Sequence, residues 1–260
     1  MTRYNISFAG AGRLAGSLCR ELFKAGINIL QIVSRNESDG RNLAGQCNAK
    51  WSSRLSFGDA NDIIIVAVPD NSLKEVLSEL KCSERSVIAH TAGSFGLDVF
   101  PAEASKTGVF YPLMTFSRGR NVSLRDIPVF IEGNDENTAG ILKTIAEIIG
   151  GKVYFIDNES RSLLHVSAVF VNNFTNYMLT SGNEIASKTG LPFSIFGPLL
   201  KETVAKALEA GPEKSQTGPA VRNDLCTIEK HMELLSFSPD LQNLYAEVTK
   251  AITEHYKSVK

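Results

Sequence analysis

Residues able to do chemistry gather in three stretches of the chain. The first is Gly10-Ala11-Gly12-Arg13-Leu14-Ala15-Gly16, which follows the apolar run Ile6-Ser7-Phe8-Ala9 and opens a helical pattern of Leu14, Leu18, Leu22 and Phe23. Strand, glycine turn and helix in that order are the setting of a dinucleotide-binding fingerprint. Gly10 permits the tight turn and Gly12 lets the backbone approach a pyrophosphate. Ala15, where a third glycine is usual, is still small enough for helix and strand to pack closely. The helix start adds free N–H groups and partial positive charge for the phosphates. Gly10, Ala11, Gly12, Arg13 and Leu14 are the expected cofactor-binding residues, against the alternative of a structural turn.

The second stretch is spread along the strand ends that face this turn. An acidic residue after the second strand, Ile27 to Val33, would bond a ribose 2′-hydroxyl, whereas cations and hydroxyls suit a 2′-phosphate. Ser34-Arg35-Asn36 stand there, with Glu37 only after them and Arg41 on the next helix. The guanidinium of Arg35 can fork onto phosphate oxygens and Ser34 can add a donor, so NADP is expected rather than NAD. The run Asp62 to Val68 ends at Pro69, and Val68 and Pro69 are expected to wall the nicotinamide ribose. His90, at the same carboxyl edge, is either a substrate contact or a histidine hydrogen-bonded at a strand end.

The third stretch is helical and runs from Ser162 to Ser181. It is apolar nearly all round, which reads as a buried helix, yet His165, Asn172 and Asn176 fall in one narrow stripe at ~100° per residue. A buried polar group left unsatisfied costs about 1–3 kcal/mol, so the stripe requires a partner: substrate and nicotinamide, the other domain, or a twin subunit. An imidazole reaches both protonation states near neutral pH, which makes His165 the candidate proton donor. Asn172 is its candidate catalytic companion, and Asn176 a substrate contact. Further on, Thr217-Gly218-Pro219 has helix-entry chemistry, and Arg222 one turn in either holds an acidic group of the substrate or pairs locally with Asp224.

The elements that position these residues follow from period and punctuation. Strand and helix alternate as far as Val153-Tyr154-Phe155-Ile156. The continuous apolar run Asp62 to Val68 marks a strand covered on both faces. A loop with interleaved hydroxyls and aromatics, Tyr111 to Ser117, reads as exposed, and either carries function at this edge or packs between the two domains. After Asp157 no strand signal follows, and the breaks at Gly190-Leu191-Pro192, Gly211-Pro212, Gly218-Pro219 and Ser238-Pro239 separate helices. The expected architecture is an α/β doubly wound, Rossmann-like domain over 1–157 and an all-helical substrate and dimerisation domain over 158–260.

Composition excludes several classes. In 260 residues, 43% are hydrophobic and 21% charged, with a formal net charge of −1, so neither a nucleic acid nor an acidic membrane surface is an expected partner. No apolar run approaches the ~20 residues of a membrane span. Cys19, Cys47, Cys82 and Cys226 are scattered, without metal-ligand spacing, and suit a reducing compartment. A cytoplasmic protein without a leader segment or a metal site is expected. A helix as apolar as 162–181 also exceeds what one small helical domain covers, so a homodimer through that domain is expected.

Taken together, Gly10-Ala11-Gly12, Val66-Ala67-Val68-Pro69, His90-Thr91-Ala92-Gly93-Ser94, Pro112-Leu113-x-Thr115-Phe116-Ser117, Leu164-His165, Asn172-Asn173-Phe174 and Thr217-Gly218-Pro219-x-x-Arg222-x-Asp224 resemble a bacterial family. That family joins a Rossmann-like domain to a helical C-terminal domain of unknown function, and its members are named NADP oxidoreductases, some of the deazaflavin-dependent kind. The layout is more distantly similar to pyrroline-5-carboxylate reductase and the hydroxyacid dehydrogenases. Two departures limit what the resemblance implies. The family loop begins His-Pro-Leu-Gln, where this chain has Tyr111 and Met114, so a role for that histidine does not carry over. The dehydrogenases' catalytic lysine has no counterpart, since Ala168, Val169 and Phe170 stand before Asn172 and Asn173. The expected function is an NADP-dependent oxidoreductase moving hydride between NADPH and a small carbonyl or imine at the cleft between the domains. The alternative is a non-catalytic NADP-binding sensor or partner-binding dimer.

Overall fold

The computed structural model describes residues 4–117 and 123–257. The chain divides into two compact units, Met1–Asn173 and Phe174–Lys260.

The first unit is built on an eight-stranded sheet. Its strands are β1 (Asn5–Ala9), β2 (Asn28–Val33), β3 (Lys50–Ser52), β4 (Ile63–Val66), β5 (Val87–His90), β6 (Thr107–Pro112), β7 (Pro128–Gly133) and β8 (Lys152–Phe155), in spatial order β3-β2-β1-β4-β5-β6-β7-β8. The helices are α1 (Arg13–Lys24), α2 (Glu37–Gln46), α3 (Asp70–Glu79), α4 (Glu136–Ile148) and α5 (Asn158–Ala168). The strands β1 to β6 run parallel, as expected of a doubly wound sheet. β7 then pairs antiparallel with β6, and β8 follows β7 in parallel.

β4 shows why its sequence is apolar at every position. Ile63 and Ile65 enter the hydrophobic cluster on one face of the sheet, while Ile64 and Val66 enter the cluster on the other. With side chains alternating across the pleat, a strand covered on both faces needs four apolar residues in a row, each contributing about 1.5–3 kcal/mol on burial. α3 starts soon after β4: Pro69 stands at its N-cap without a side-chain bond, and Asn71 and Ser72 lie inside the first turn.

The expected exposed loop at Tyr111 begins inside the sheet instead. The antiparallel partner β7 extends β6 by pairing Tyr111 with Phe130 and Pro112 with Val129, and Tyr111 is buried.

The long helix expected over 162–181 is interrupted. α5 gives way to a wider π turn, Val169–Phe174, before α6 (Thr175–Ser187). The wide turn shifts the phase of the ~100° spiral, so the polar stripe is not a straight line. Nor is the helix buried within the single chain: Leu163, Val166, Phe170, Val171 and Tyr177 are all exposed. The sequence pattern changes at Asp157, while the division in packing comes one helix later, so α5 packs as part of the first unit. The second unit continues with α7 (Gly197–Ala210), the single turns α8 (Pro212–Ser215) and α9 (Pro219–Arg222), α10 (Leu225–Leu234) and α11 (Pro239–Lys257).

Candidate functional site

The glycine turn after β1 opens a long cleft. Gly10 has φ +120°, and a Cβ there would run into the carbonyl oxygen of Ala67, so the position admits only glycine. Its N–H donates to the carbonyl of Val33 at 2.7 Å, which pins the turn between β1 and β2. Over Gly12 a Cβ would meet nothing within 4 Å; this is the open side of the turn. α1 starts immediately after, with no side-chain cap and no acidic residue in its first turn, so its leading amides face the cleft uncompeted.

The cleft has two chambers that share Ala11, Gly12, Asp39, Ala67, Val68 and Pro69. The larger, about 750 Å³, extends past Arg13 and Leu14 to Thr91 and Ala92. The smaller, about 400 Å³, extends past Gly10 to Ser34 and Arg35. Both sizes lie in the range of cofactor and small-molecule sites. An extended dinucleotide fits the donor set: backbone amides in the middle, a cation at one end and apolar strand ends at the other.

Arg35 is exposed, and no ion pair engages it among the described residues. Ser34, expected to add a phosphate donor, is otherwise occupied. Its Oγ accepts from the indole Nε1 of Trp51 at 3.1 Å and donates to the carbonyl of Asn36 at 2.8 Å. Arg41 is likewise engaged, with Glu37 at 2.7 Å and over the Trp51 ring at 4.5 Å.

His90, read from the sequence as a possible substrate contact, serves the backbone. It is fully buried, its Nδ1 accepts from the N–H of Ala92 at 3.2 Å, and its Nε2 lies 3.3 Å from the carbonyl of Gly96. One nitrogen accepts and the other donates, which is the neutral ring, and burial lowers its pKa to about 4. His90 thus shapes the 91–96 loop at the end of the cleft and presents no free nitrogen to a ligand.

The histidine that lies beside that loop is His165. A Cβ added to Gly93 would lie 2.6 Å from its Nδ1, so the ring rests directly on the loop backbone. Its Nδ1 is 2.8 Å from the hydroxyl of Tyr111, with the rings edge to face. Burial, and then the charge of Asp70, pushes the Tyr111 phenol above its ordinary pKa, so it stays protonated and can donate to the imidazole.

One helical turn earlier on α5, Arg161 is fully buried. Its guanidinium donates to the Glu132 carboxylate, to the carbonyl of Phe95, and to Asn158 Oδ1 at 2.9 Å.

The spacing of these contacts has a geometric cause. Glu132 stands opposite Val109 in the β6–β7 register, and Tyr111 lies two residues further along β6. Two strand residues span about 6.6 Å and four helical residues rise about 6 Å, so Arg161 and His165 keep step with the strand beneath them. Because β7 and β8 reverse direction, the chain leaves β8 toward the far edge of the sheet, and α5 climbs back to the cofactor edge.

Tyr111 is the site residue that sequence reasoning missed. Nothing in the sequence links it to a residue 54 positions away. The one available signal was its place where the resembled family has a histidine.

The remaining predicted residues are placed differently. Asn172 lies exposed in the π turn, its amide 3.3 Å from Asn173 Oδ1. Asn176 and Arg222 belong to the second unit, and both are exposed. The helix that Arg222 ends is a single turn, too short for the anion seat expected of it. Asp224 caps α10 through the N–H and hydroxyl of Thr227, at 3.1 and 2.8 Å, rather than serving Arg222 first. Those bonds, with a smaller contribution from Arg222, hold its carboxyl below the usual range. Among the described residues, no group of three or more His, Cys, Asp and Glu side chains could hold a metal. No helix among them is long and apolar enough to cross a membrane.

Two family models match the chain. Residues 5–93 match the family described as NADP oxidoreductase, coenzyme F420-dependent, and residues 127–252 match a domain of unknown function, DUF2520. No curated protein matches. Among solved structures, the chain is similar to a "putative NADP oxidoreductase" from Bacteroides fragilis. The identity is 35% over 97% of this chain and 98% of that one, with a TM-score of 0.88. A protein from Thermotoga maritima is similar at 26% identity over 97% and 98% of the two chains, TM-score 0.70. A reductive aminase from Aspergillus terreus, solved with NADPH and ethyl-5-oxohexanoate, shares the fold. It is 15% identical over 97% and 95% of the chains, TM-score 0.71.

Proposed function

Since this chain belongs to the family that joins a Rossmann-like NADP oxidoreductase domain to a DUF2520 domain, we propose that this oxidoreductase uses NADPH to reduce a small carbonyl or imine. The observation that carries the reading is the Tyr111–His165 pair resting on the loop that closes the cleft.

The chain's own residues divide the work. Backbone amides of the Gly10–Leu14 turn hold the pyrophosphate, Arg35 takes the 2′-phosphate, and Val68 and Pro69 flank the nicotinamide ribose. Bound NADPH supplies the hydride. In its doubly protonated form His165 gives the Nε2 proton to the carbonyl oxygen or imine nitrogen and becomes the neutral ring; its Nδ1–H then donates to the Tyr111 hydroxyl oxygen, which holds the ring in place. Asn172 orients the substrate. The proposed site is confined to the first unit and needs neither Asn176 nor Arg222, and His90 enters only through the loop it shapes. The free thiols fit the cytoplasm.

The test is to mix the protein with NADPH and a panel of small keto acids, ketones with amines, and cyclic imines, and to follow nicotinamide absorbance. Oxidation of NADPH by at least one acceptor is expected, with NADPH preferred over NADH. Tight NADPH binding with no oxidation by any acceptor would replace the reading with that of a non-catalytic nucleotide sensor.

We also propose that the protein is a homodimer. Val171, Leu199 and Leu208 are 76%, 61% and 84% exposed, alongside Phe170, Phe174 and Tyr177. Apolar surface on this scale is unusual on a monomer. Sedimentation at micromolar concentration is expected to give twice the chain mass, and a monomer there refutes the proposal.

A further inference from the structure

Away from the candidate proton donor, two thiols from different helices meet in the core. Cys19 lies on the buried face of α1, and Cys47 forms the C-cap of α2. They are 0% and 1% exposed, and their sulfur atoms are 3.2 Å apart. A disulfide needs about 2.05 Å between the sulfurs, so the remaining approach is about an ångström. The approach has to come from the two side chains and the turn after α2, since the N–H groups of Cys47 and Ala49 both bond the carbonyl of Ala44, at 3.2 and 2.9 Å. α2 has ended there, the neighbours Gln46 and Asn48 are exposed, and Asn48 already turns through the left-handed region at φ 51°.

The two sulfurs also differ in character. The S–H of Cys19 bonds toward Cys47 and favours a thiolate there; burial opposes this, and the charge of Arg20 adds a smaller favourable effect. The same bond, together with burial, holds Cys19 as a thiol. A thiolate-prone cysteine beside a second thiol is the chemical pairing of a dithiol; because Cys47 is buried, an oxidant reaches it only when the turn after α2 opens.

We propose that Cys19 and Cys47 form a modification site, a dithiol that hydrogen peroxide converts into an intramolecular disulfide joining α1 to α2. The Cys47 thiolate attacks one peroxide oxygen, breaking the O–O bond, and becomes a sulfenic acid; the departing hydroxide takes a proton to leave as water. Cys19 then gives up its proton and attacks the Cys47 sulfur, forming the S–S bond and expelling the sulfenic hydroxyl, which leaves as the second water. Two thiols and one peroxide become one disulfide and two waters. Each sulfur is oxidised by one electron, and the peroxide is reduced by two. Reducing thiols reverse the bond, as expected of the transient disulfides found in reducing compartments. Gly16 and Arg20 of α1, and Leu43 and Gln46 of α2, line the larger chamber of the cleft, so the bond would tie together two of its walls.

The experiment uses the full chain carrying Cys226→Ser, which removes the exposed thiol that would otherwise cross-link between molecules. The protein is treated with hydrogen peroxide, the remaining thiols are alkylated after denaturation, and tryptic peptides are weighed. The expected product joins peptide 14–20 to peptide 42–50 at a mass about 2 Da below the sum of the two thiol forms, and dithiothreitol separates them. The intact oxidised protein is expected to melt several degrees higher, because the bond closes a loop in the unfolded chain. Recovery of both cysteines as alkylated thiols after Cys82 has been consumed would overturn the proposal. So would Cys47 carried to a sulfinic acid with Cys19 still free. No cysteine of the pair is mutated, so the result does not depend on a core variant folding.

Discussion

Replacing His165 by alanine is expected to lower NADPH-dependent turnover of a neutral carbonyl by about 10²- to 10⁴-fold and to leave NADPH affinity within a few-fold of the parent protein. The split follows from placement. His165 rests on the Gly93 backbone and bonds Tyr111, while the cleft is lined by the glycine turn, Val68, Pro69 and Thr91. Removing the imidazole takes away a proton without touching the phosphate-binding amides. Tyr111→Phe is the graded companion: the ring stays, the bond that orients Nδ1 is lost, and an intermediate loss of turnover is expected. An imine that arrives already protonated needs no acid, so its reduction should fall little in the His165→Ala variant. Steady-state rates with a ketone and a cyclic imine, measured side by side, check both statements. Undiminished ketone reduction would remove His165 from the chemistry.

The second large effect is on stability. Arg161→Met is expected to destabilise the first unit by about 3–5 kcal/mol, the usual cost of removing one partner from a buried charged network. The Glu132 carboxylate, with 21% of its side chain exposed, loses its cation, and the carbonyl of Phe95 loses its donor. Among the described residues Arg161 Nε has no hydrogen-bond partner, so the network as built is not the most stable way to fill that space. The penalty comes from what is stranded rather than from the strength of the bonds removed. The paired substitution Arg161→Met with Glu132→Gln should therefore cost less than the sum of the two single changes. Chemical denaturation of the four proteins measures this, and a single-variant loss under about 1 kcal/mol would mean that the network only steers geometry.

What was legible in the sequence was local or periodic. Gly10, Gly12 and the helix after them announce a tight strand–turn–helix because only certain backbones allow it. Four apolar residues in a row at Ile63–Val66 announce a strand covered on both faces. The Tyr111–His165 pair was not legible, because it depends on β7 turning back and on α5 keeping step with β6. Both are properties of topology rather than of spacing. Ser34 looked like a phosphate donor, but its hydroxyl donates to the carbonyl of Asn36 and accepts from Trp51, seventeen residues on. The stripe of His165, Asn172 and Asn176 assumed an unbroken spiral, and the π turn Val169–Phe174 sits in the middle of it. A helix apolar on all sides also reads as buried, whereas here much of that surface faces outward in the single chain.

Trp51 is the only tryptophan in the chain. Its indole donates to Ser34, the immediate neighbour of Arg35, and lies under the Arg41 guanidinium. The protein therefore carries a built-in optical gauge at the end of the cleft proposed to receive the 2′-phosphate. Ultraviolet emission from one known site can report on occupancy there, with no dye attached and no second indole to blur the signal.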